Sequence, residues 1–231
     1  MTMRALCIIP ARGGSKRIPR KNIRPFLGEP IMAHPIRAAL ASGCFEEVMV
    51  STDDDEIAAV ARHAGAAVPF RRSAENAADE AGTIPVLLEV LERYAAVGRE
   101  FDLGCCLYPT AVFAPPALLQ RGRDLLLADA ATDSVIPVVR YGYPIQRSLR
   151  MEDGRLALRW PEHLHARSQD LEPAYHDAGQ FYWFRISSLL REGRLLTDTT
   201  RGLELPDSEV QDVDNEVDWQ LAEIKRQRLS A

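Results

Sequence analysis

Short, unbroken apolar runs alternate with helix-patterned segments through the first two thirds of this chain, and that alternation limits the fold more than any other feature. Residues 4–9, 47–51, 103–107 and 134–139 each read as a strand too short to be a helix. Their apolar character on both faces is what a parallel sheet covered by helices requires. Between them lie helical patterns. Residues 54–64 place Ile57, Val60 and Ala61 on one face, and residues 83–94 do the same with Ile84, Leu87, Leu88 and Leu91. A third helix is expected over 116–128. Strands separated by helices predict a Rossmann-like α/β fold with a doubly wound, mostly parallel sheet. At 231 residues and 46% hydrophobic composition, one domain over 1–231 is expected.

A net charge of −5 gives no electrostatic reason to expect nucleic acid or an anionic membrane as partner. No apolar run approaches the roughly 20 residues of a membrane helix. The apolar stretch 5–10 is too short for a secretory leader, so the expected location is the cytoplasm. Cys7, Cys44, Cys105 and Cys106 form no C-x-x-C and read as small buried hydrophobes in a reducing compartment. His163 and His165 are too few for a zinc site.

The chemistry concentrates just after the first strand, in the run Ile9-Pro10-Ala11-Arg12-Gly13-Gly14-Ser15-Lys16-Arg17-Ile18-Pro19-Arg20-Lys21-Asn22. An α/β sheet binds ligands beyond the carboxyl ends of its strands. Gly13 and Gly14 let the backbone approach an anion and present its N–H groups. From Arg12 to Arg24 there are six basic residues and no acidic one, which leaves −11 on the rest of the chain. Neither the P-loop nor the dinucleotide-binding pattern occurs. The segment reads as a polyphosphate cradle of another type.

A second constellation lies near the C-terminus. Asp212 and Asp214, two residues apart, point to the same side of an extended segment. Two hard carboxylates that leave the other positions to water and phosphate oxygens suit Mg²⁺. Alternatively, Asp214 caps the helix expected over 215–228, in which Val217, Leu221 and Ile224 are expected to face inward. Thr52 and Asp53 precede a helix, and Asp53 with Glu56 three residues on reads as a capping arrangement.

The run I-P-A-R-G-G-S-K-x-I-P-x-K-N resembles the signature of the cytidylyltransferases that activate nonulosonic (sialic-type) acids as CMP sugars. Val50-Ser51-Thr52-Asp53-Asp54, Leu107-Tyr108-Pro109-Thr110 and Gln211-Asp212-Val213-Asp214 are similar to three further motifs of that family. The resemblance implies a fold of the nucleotide-diphospho-sugar transferase type, CTP and a nonulosonic acid as substrates, Mg²⁺ at Asp212 and Asp214, and a homodimer. It further implies that Arg12, Lys16 and Lys21 hold the triphosphate, with Ala11, Gly13, Gly14 and Ser15 completing the cradle. Asn22 and Arg71 would meet the nucleotide, with Arg71 following an expected strand over 67–70, and Thr83 would belong to the substrate-binding set. Asp214 joins Lys21, Arg12 and Lys16 as the catalytic set.

The rhythm breaks over 141–176, a stretch rich in Arg, Pro and His with an expected hairpin near Glu152-Asp153-Gly154. It is too long for a simple loop and reads as an inserted dimerisation or substrate arm. A strand resumes over 180–186. Arg167, Tyr175, His176, Gln180 and Tyr182 lie in a segment dense in aromatic and polar groups, as sugar and carboxylate recognition requires. Phe181 and Trp183 read as core. Tyr108-Pro109-Thr110, together with Y-H-D-A-G-Q-F-Y-W, resembles the branch of the family that acts on pseudaminic acid. Sialic, legionaminic and 3-deoxy-octulosonic acids remain alternative acceptors, and a catalytically inactive nucleotide-sugar sensor is the alternative outside enzymes.

Overall fold

The computed structural model describes residues 3–230. Its strands are β1 (Ala5–Pro10), β2 (Pro25–Phe26), β3 (Glu29–Pro30), β4 (Glu47–Ser51), β5 (Leu103–Leu107), β6 (Ser134–Arg140), β7 (Leu149–Glu152), β8 (Arg155–Leu158), β9 (Tyr175–Asp177), β10 (Phe181–Arg185) and β11 (Arg201–Leu205). The helices are α1 (Ala33–Ser42), α2 (Asp55–His63), α3 (Ala74–Ala77), α4 (Thr83–Ala96), α5 (Pro116–Leu127), α6 (Ile186–Glu192) and α7 (Glu216–Ser230).

The main sheet has the order β11-β6-β10-β5-β1-β4, with β9 added beside β6. β1 pairs in parallel with β4 on one side and β5 on the other, so the chain winds outward in both directions from β1. The crevice of such a sheet opens where the winding reverses, here beyond the ends of β1 and β5. β10 runs antiparallel to β5 and β6. The fold is the Rossmann-like α/β arrangement expected from the sequence.

Alternation along the central strands builds a core on each face. Ala5, Cys7 and Ile9 pack toward the side of α1, α2 and α5, whereas Leu6 and Ile8 pack against Leu87, Val90 and Leu91 of α4. All four cysteines are buried and free. Phe181 and Trp183 lie fully inside, and the Trp183 indole donates to the Leu119 carbonyl at 3.0 Å. Among the described residues no helix is long and apolar enough to cross a membrane.

Several expectations are corrected. Residues 67–70 form no strand; Ala67 makes a single bridge to Met49. The cap of α2 is Asp54, which accepts from the Ile57 N–H at 2.9 Å, while Asp53 accepts from the Gly13 N–H at 3.0 Å. The inward face of α7 is Trp219 and Ala222; Val217 and Ile224 are more than 60% exposed. Its N-terminus is capped by Asn215, whose side chain accepts from Val217 and Asp218, so Asp214 is not the cap. The expected hairpin is present as β7 and β8, with Asp153 and Gly154 both at positive φ, as a two-residue hairpin turn demands.

Candidate active site

A cleft of about 560 Å³ opens at the switch point between β1 and β5. One wall is the segment after β1, contributing Arg12, Ser15, Lys16, Arg17, Lys21 and Asn22; Tyr108, Pro109 and Thr110 after β5 form a second, and Asp212 and Asp214 a third. What joins the first and third walls is a small satellite core. Ile18 of the basic segment and Val213, between the two aspartates, are both buried in it with Phe26, Ile31, Val112, Phe113 and Trp219. Burying Val213 turns its two neighbours the other way, into the cleft.

The basic segment is ordered by its own partners. Asn22 is buried and donates to the Arg12 carbonyl at 3.0 Å. Gly13 approaches Asp54 so closely that a β-carbon there would lie 2.8 Å from Oδ2. Arg20 takes a left-handed conformation, φ 56°, and pairs with Asp54 and Glu56. That contact holds the Asp54 carboxyl down to about 2.

Every other cation of the segment also has an acidic partner. Arg12 meets Asp79 at 3.0 Å, and Lys16 pairs with the same carboxylate. The Lys16 hydrogen bond lowers the Asp79 pKa. Arg17 grips both oxygens of Asp214 at 2.9 and 2.8 Å. Lys21 donates to the Val213 carbonyl at 2.6 Å and stands 3.7 Å from Asp214.

Asp212 differs. Desolvation, then the neighbouring Asp214 charge, raises its pKa from the ordinary aspartate value. No Lys, Arg or His among the described residues forms an ion pair with it. An all-oxygen pair in which one carboxylate has no direct ion-pair partner fits a hard divalent cation that completes its shell with water and phosphate. No group of three or more His, Cys, Asp or Glu among the described residues offers a fuller cage.

The remaining residues singled out in the sequence are placed as follows. Ala11 is buried beneath the loop, its N–H donating to the Ser51 carbonyl at 3.0 Å. Gly14 faces Asp79. Thr83, the first residue of α4, reaches the Tyr108 hydroxyl at 3.2 Å. Arg71 does not enter the cleft; it is exposed and pairs with Asp55 at 2.8 Å. Its neighbour Arg72 is the buried arginine, bonded to the Ser51 hydroxyl at 3.0 Å and the Ser51 carbonyl at 2.6 Å. Burial brings its pKa to about 10.

Arg167 lies on the arm, pairs with Asp170 and is 73% exposed. Tyr175 is exposed, and the His176 ring packs edge-on against Tyr141 at 5.0 Å. Within one chain these three stay outside the cleft. The Gln180 amide donates to the Glu209 carbonyl at 3.0 Å while its buried Oε1 has no partner. Tyr182 bonds Asp177 behind Tyr108. Sequence reasoning passed over Asp79, Arg72 and Asp177. Asp79 had no motif to mark it; Arg72 was hidden by an adjacent arginine of equal plausibility.

A family model described as cytidylyltransferase matches residues 6–142. A pseudaminic acid cytidylyltransferase of Campylobacter jejuni is 38% identical over 223 residues, 96% of each chain. A CMP-N,N'-diacetyllegionaminic acid synthase of Legionella pneumophila is 35% identical over 96% of this chain and 95% of its own. The solved CMP:2-keto-3-deoxy-manno-octonic acid synthetase, complexed with CTP, has the same fold, with a TM-score of 0.71 at 18% identity over 98% of this chain and 99% of that one. The family match runs from β1 through β6, taking in the basic and tyrosine walls of the cleft, and both relatives align along nearly their whole length: this chain belongs to the cytidylyltransferase family.

Proposed function

We propose that the protein transfers the cytidylyl group of CTP to the anomeric hydroxyl of pseudaminic acid, giving CMP-pseudaminic acid for bacterial surface glycans or flagellin. The anomeric hydroxyl releases its proton to solvent as its oxygen forms a bond to the α-phosphorus, the bond to the β-phosphate bridging oxygen breaks, and pyrophosphate leaves with its electron pair. The observation that carries this reading is the opposition of a basic segment and a carboxylate pair across one cleft at the sheet's switch point. Identity to the Campylobacter jejuni relative favours pseudaminic acid as the acceptor.

Arg12, Lys16 and Lys21 would hold the triphosphate and neutralise charge that builds on the departing pyrophosphate, with positioning supplying much of the rate. Asp79 holds the first two until the nucleotide replaces it. Gly13, Gly14, Ser15 and Asn22 shape the cradle. Asp212 and Asp214 would bind Mg²⁺, which when bound supplies positive charge at the α-phosphate. Tyr108, Pro109 and Thr110 line the side left for the sugar, with Thr83 and Tyr182 packed against Tyr108.

The arm over 141–176 supports a homodimer. Tyr143, Met151, Leu156 and Leu164 are each more than half exposed there, an apolar display suited to a second copy. Pairing would also bring Arg167, Tyr175 and His176 of one copy toward the other's cleft. Four free cysteines fit a cytoplasmic setting.

A second reading, transfer to legionaminic acid, is favoured by the Legionella pneumophila relative. Competition decides between them: pseudaminic, legionaminic and N-acetylneuraminic acids at equal concentration with CTP and Mg²⁺, products weighed by mass spectrometry. A kcat/KM for pseudaminic acid above both others is expected, and a ratio at or below one overturns the assignment. Absence of pyrophosphate release with every acceptor would leave a nucleotide-sugar sensor.

A further inference from the structure

The strand pairing along one edge of β6 is interrupted, and a carboxylate stands at the interruption. β9 pairs with residues 138–140 and β10 with residues 134–135, so both share the same edge and residues 178–180 cross between them. Asp177 closes that crossing. One oxygen accepts from the Gly179 N–H at 2.7 Å, an Asx turn, and Gly179 takes φ +62°. The other accepts from the Tyr182 hydroxyl at 2.6 Å.

Each of the two contacts leads to the cleft. The Tyr182 ring meets Tyr108 edge-on, centroids 5.5 Å apart, and Tyr108 is a wall of the cleft whose hydroxyl reaches Thr83. Gly179 lies against the carboxylate of Asp212, where a β-carbon would sit 3.5 Å from Cγ. No Lys or Arg among the described residues forms an ion pair with Asp177, so its hydrogen bonds account for its place. A tyrosine hydroxyl has one proton. With that proton committed to Asp177, Tyr182 offers only lone pairs to its other neighbours. The hydrogen bond is charge-assisted and therefore strong enough to fix the ring.

We propose that Asp177 is a positioning residue for the sugar acceptor: through Tyr182 it fixes the orientation and polarity of the tyrosine wall, and through the Gly179 turn it keeps that wall in register with Asp212. The assignment rests on the reading that a nonulosonic acid is the acceptor. A site built around a fixed donor and acceptor pattern discriminates against sugars whose hydroxyl and amide groups do not match it.

Steady-state kinetics with each substrate varied separately tests this on Asp177→Asn, Asp177→Glu, Tyr182→Phe and the double variant Asp177→Asn/Tyr182→Phe. We expect KM for the acceptor to rise about tenfold in Asp177→Asn and in Tyr182→Phe, with KM for CTP within about twofold of wild type. The double variant should be no worse than the worse single one, because both remove one interaction. Asp177→Glu should recover part of the loss. Acceptor and CTP values that rise together, unchanged acceptor KM, or multiplicative effects in the double variant would each overturn the proposal. Should Asp177→Asn not fold, Tyr182→Phe, which leaves the turn intact, decides on the same readout. Wild-type protein that turns over no nonulosonic acid removes the functional reading and this assignment with it; wild-type turnover with unaltered variants removes the assignment alone.

Discussion

Gly13→Ala tests whether the phosphate segment is shaped by its approach to the cap of α2. A β-carbon at position 13 would lie 2.8 Å from Asp54 Oδ2 and 3.2 Å from Asp54 Cβ, so one of the two residues must move. The Asp54 carboxylate cannot swing aside freely. It caps α2 through the Ile57 N–H and is held by Arg20. Losing the cap costs about 1 kcal/mol, and loosening a part-exposed ion pair adds up to about 1 kcal/mol more. The expected destabilisation is therefore about 1–2 kcal/mol, equivalent to a drop in Tm of roughly 2–8 °C for a domain of this size. The same shift drags the Gly13 N–H and its neighbours, so KM for CTP should rise. A double-mutant cycle isolates the cause: in an Asp54→Ala background the 2.8 Å contact with Oδ2 is gone and only the 3.2 Å contact with the β-carbon remains, so Gly13→Ala should cost less than in wild type. Urea unfolding and CTP kinetics on the four proteins measure both effects. Equal stability of wild type and Gly13→Ala, or a full penalty that persists in the Asp54→Ala background, would refute the reasoning.

Asp212→Asn and Asp214→Asn should each lower turnover by about 10²-fold or more, about 2.7 kcal/mol of transition-state stabilisation. Because desolvation and the Asp214 charge outweigh the attraction of Lys21 at Asp212, its Asn variant should keep the wild-type Tm; full turnover of both variants in EDTA-treated samples would sink the metal assignment. The Asp54 carboxyl, held at about 2 in the folded chain chiefly by the Arg20 hydrogen bond, lies below its unfolded value of about 3.9. Its stabilisation is thus fully present above about pH 4 and is lost as pH falls toward 2. The stability gap between wild type and Asp54→Asn should narrow across that window, and a constant gap from pH 5 to 2 contradicts the assignment. Glutamates in place of the exposed Met151 and Leu156 should shift sedimentation toward monomer; a wild-type monomer at micromolar concentration with full activity would end the dimer proposal.

The strands that build the centre of the sheet were legible because burial on both faces leaves an unmistakable run: β4 and β5 lie where their residues predict, and β1 and β6 differ by one residue at their ends. The edge pieces were not. β9 is three residues long, and β11 alternates two buried leucines with exposed neighbours, so neither has a run to detect. α7 shows how periodicity misleads. Val217, Leu221 and Ile224 share a helical face, yet the satellite core takes Trp219 and Ala222 instead, because Trp219 lies beneath Arg24 and meets Phe26 edge-on.

The sequence by itself determined the α/β class, the place of the basic segment after the first strand, and the pairing of Asp212 with Asp214. These depend on local periodicity and on residues close together in the chain. Only the tertiary structure decided that the basic segment and the aspartates face one another: Lys21 and Asp214 are far apart in sequence and meet because Ile18 and Val213 bury their side chains in one core. It also selected Arg72 over Arg71, Asp54 over Asp53, and Asp177 as the partner of Tyr182. The physical reason is the same in each case. A charged side chain is assigned its role by what surrounds it in space, and no local pattern records which distant segment will supply its partner.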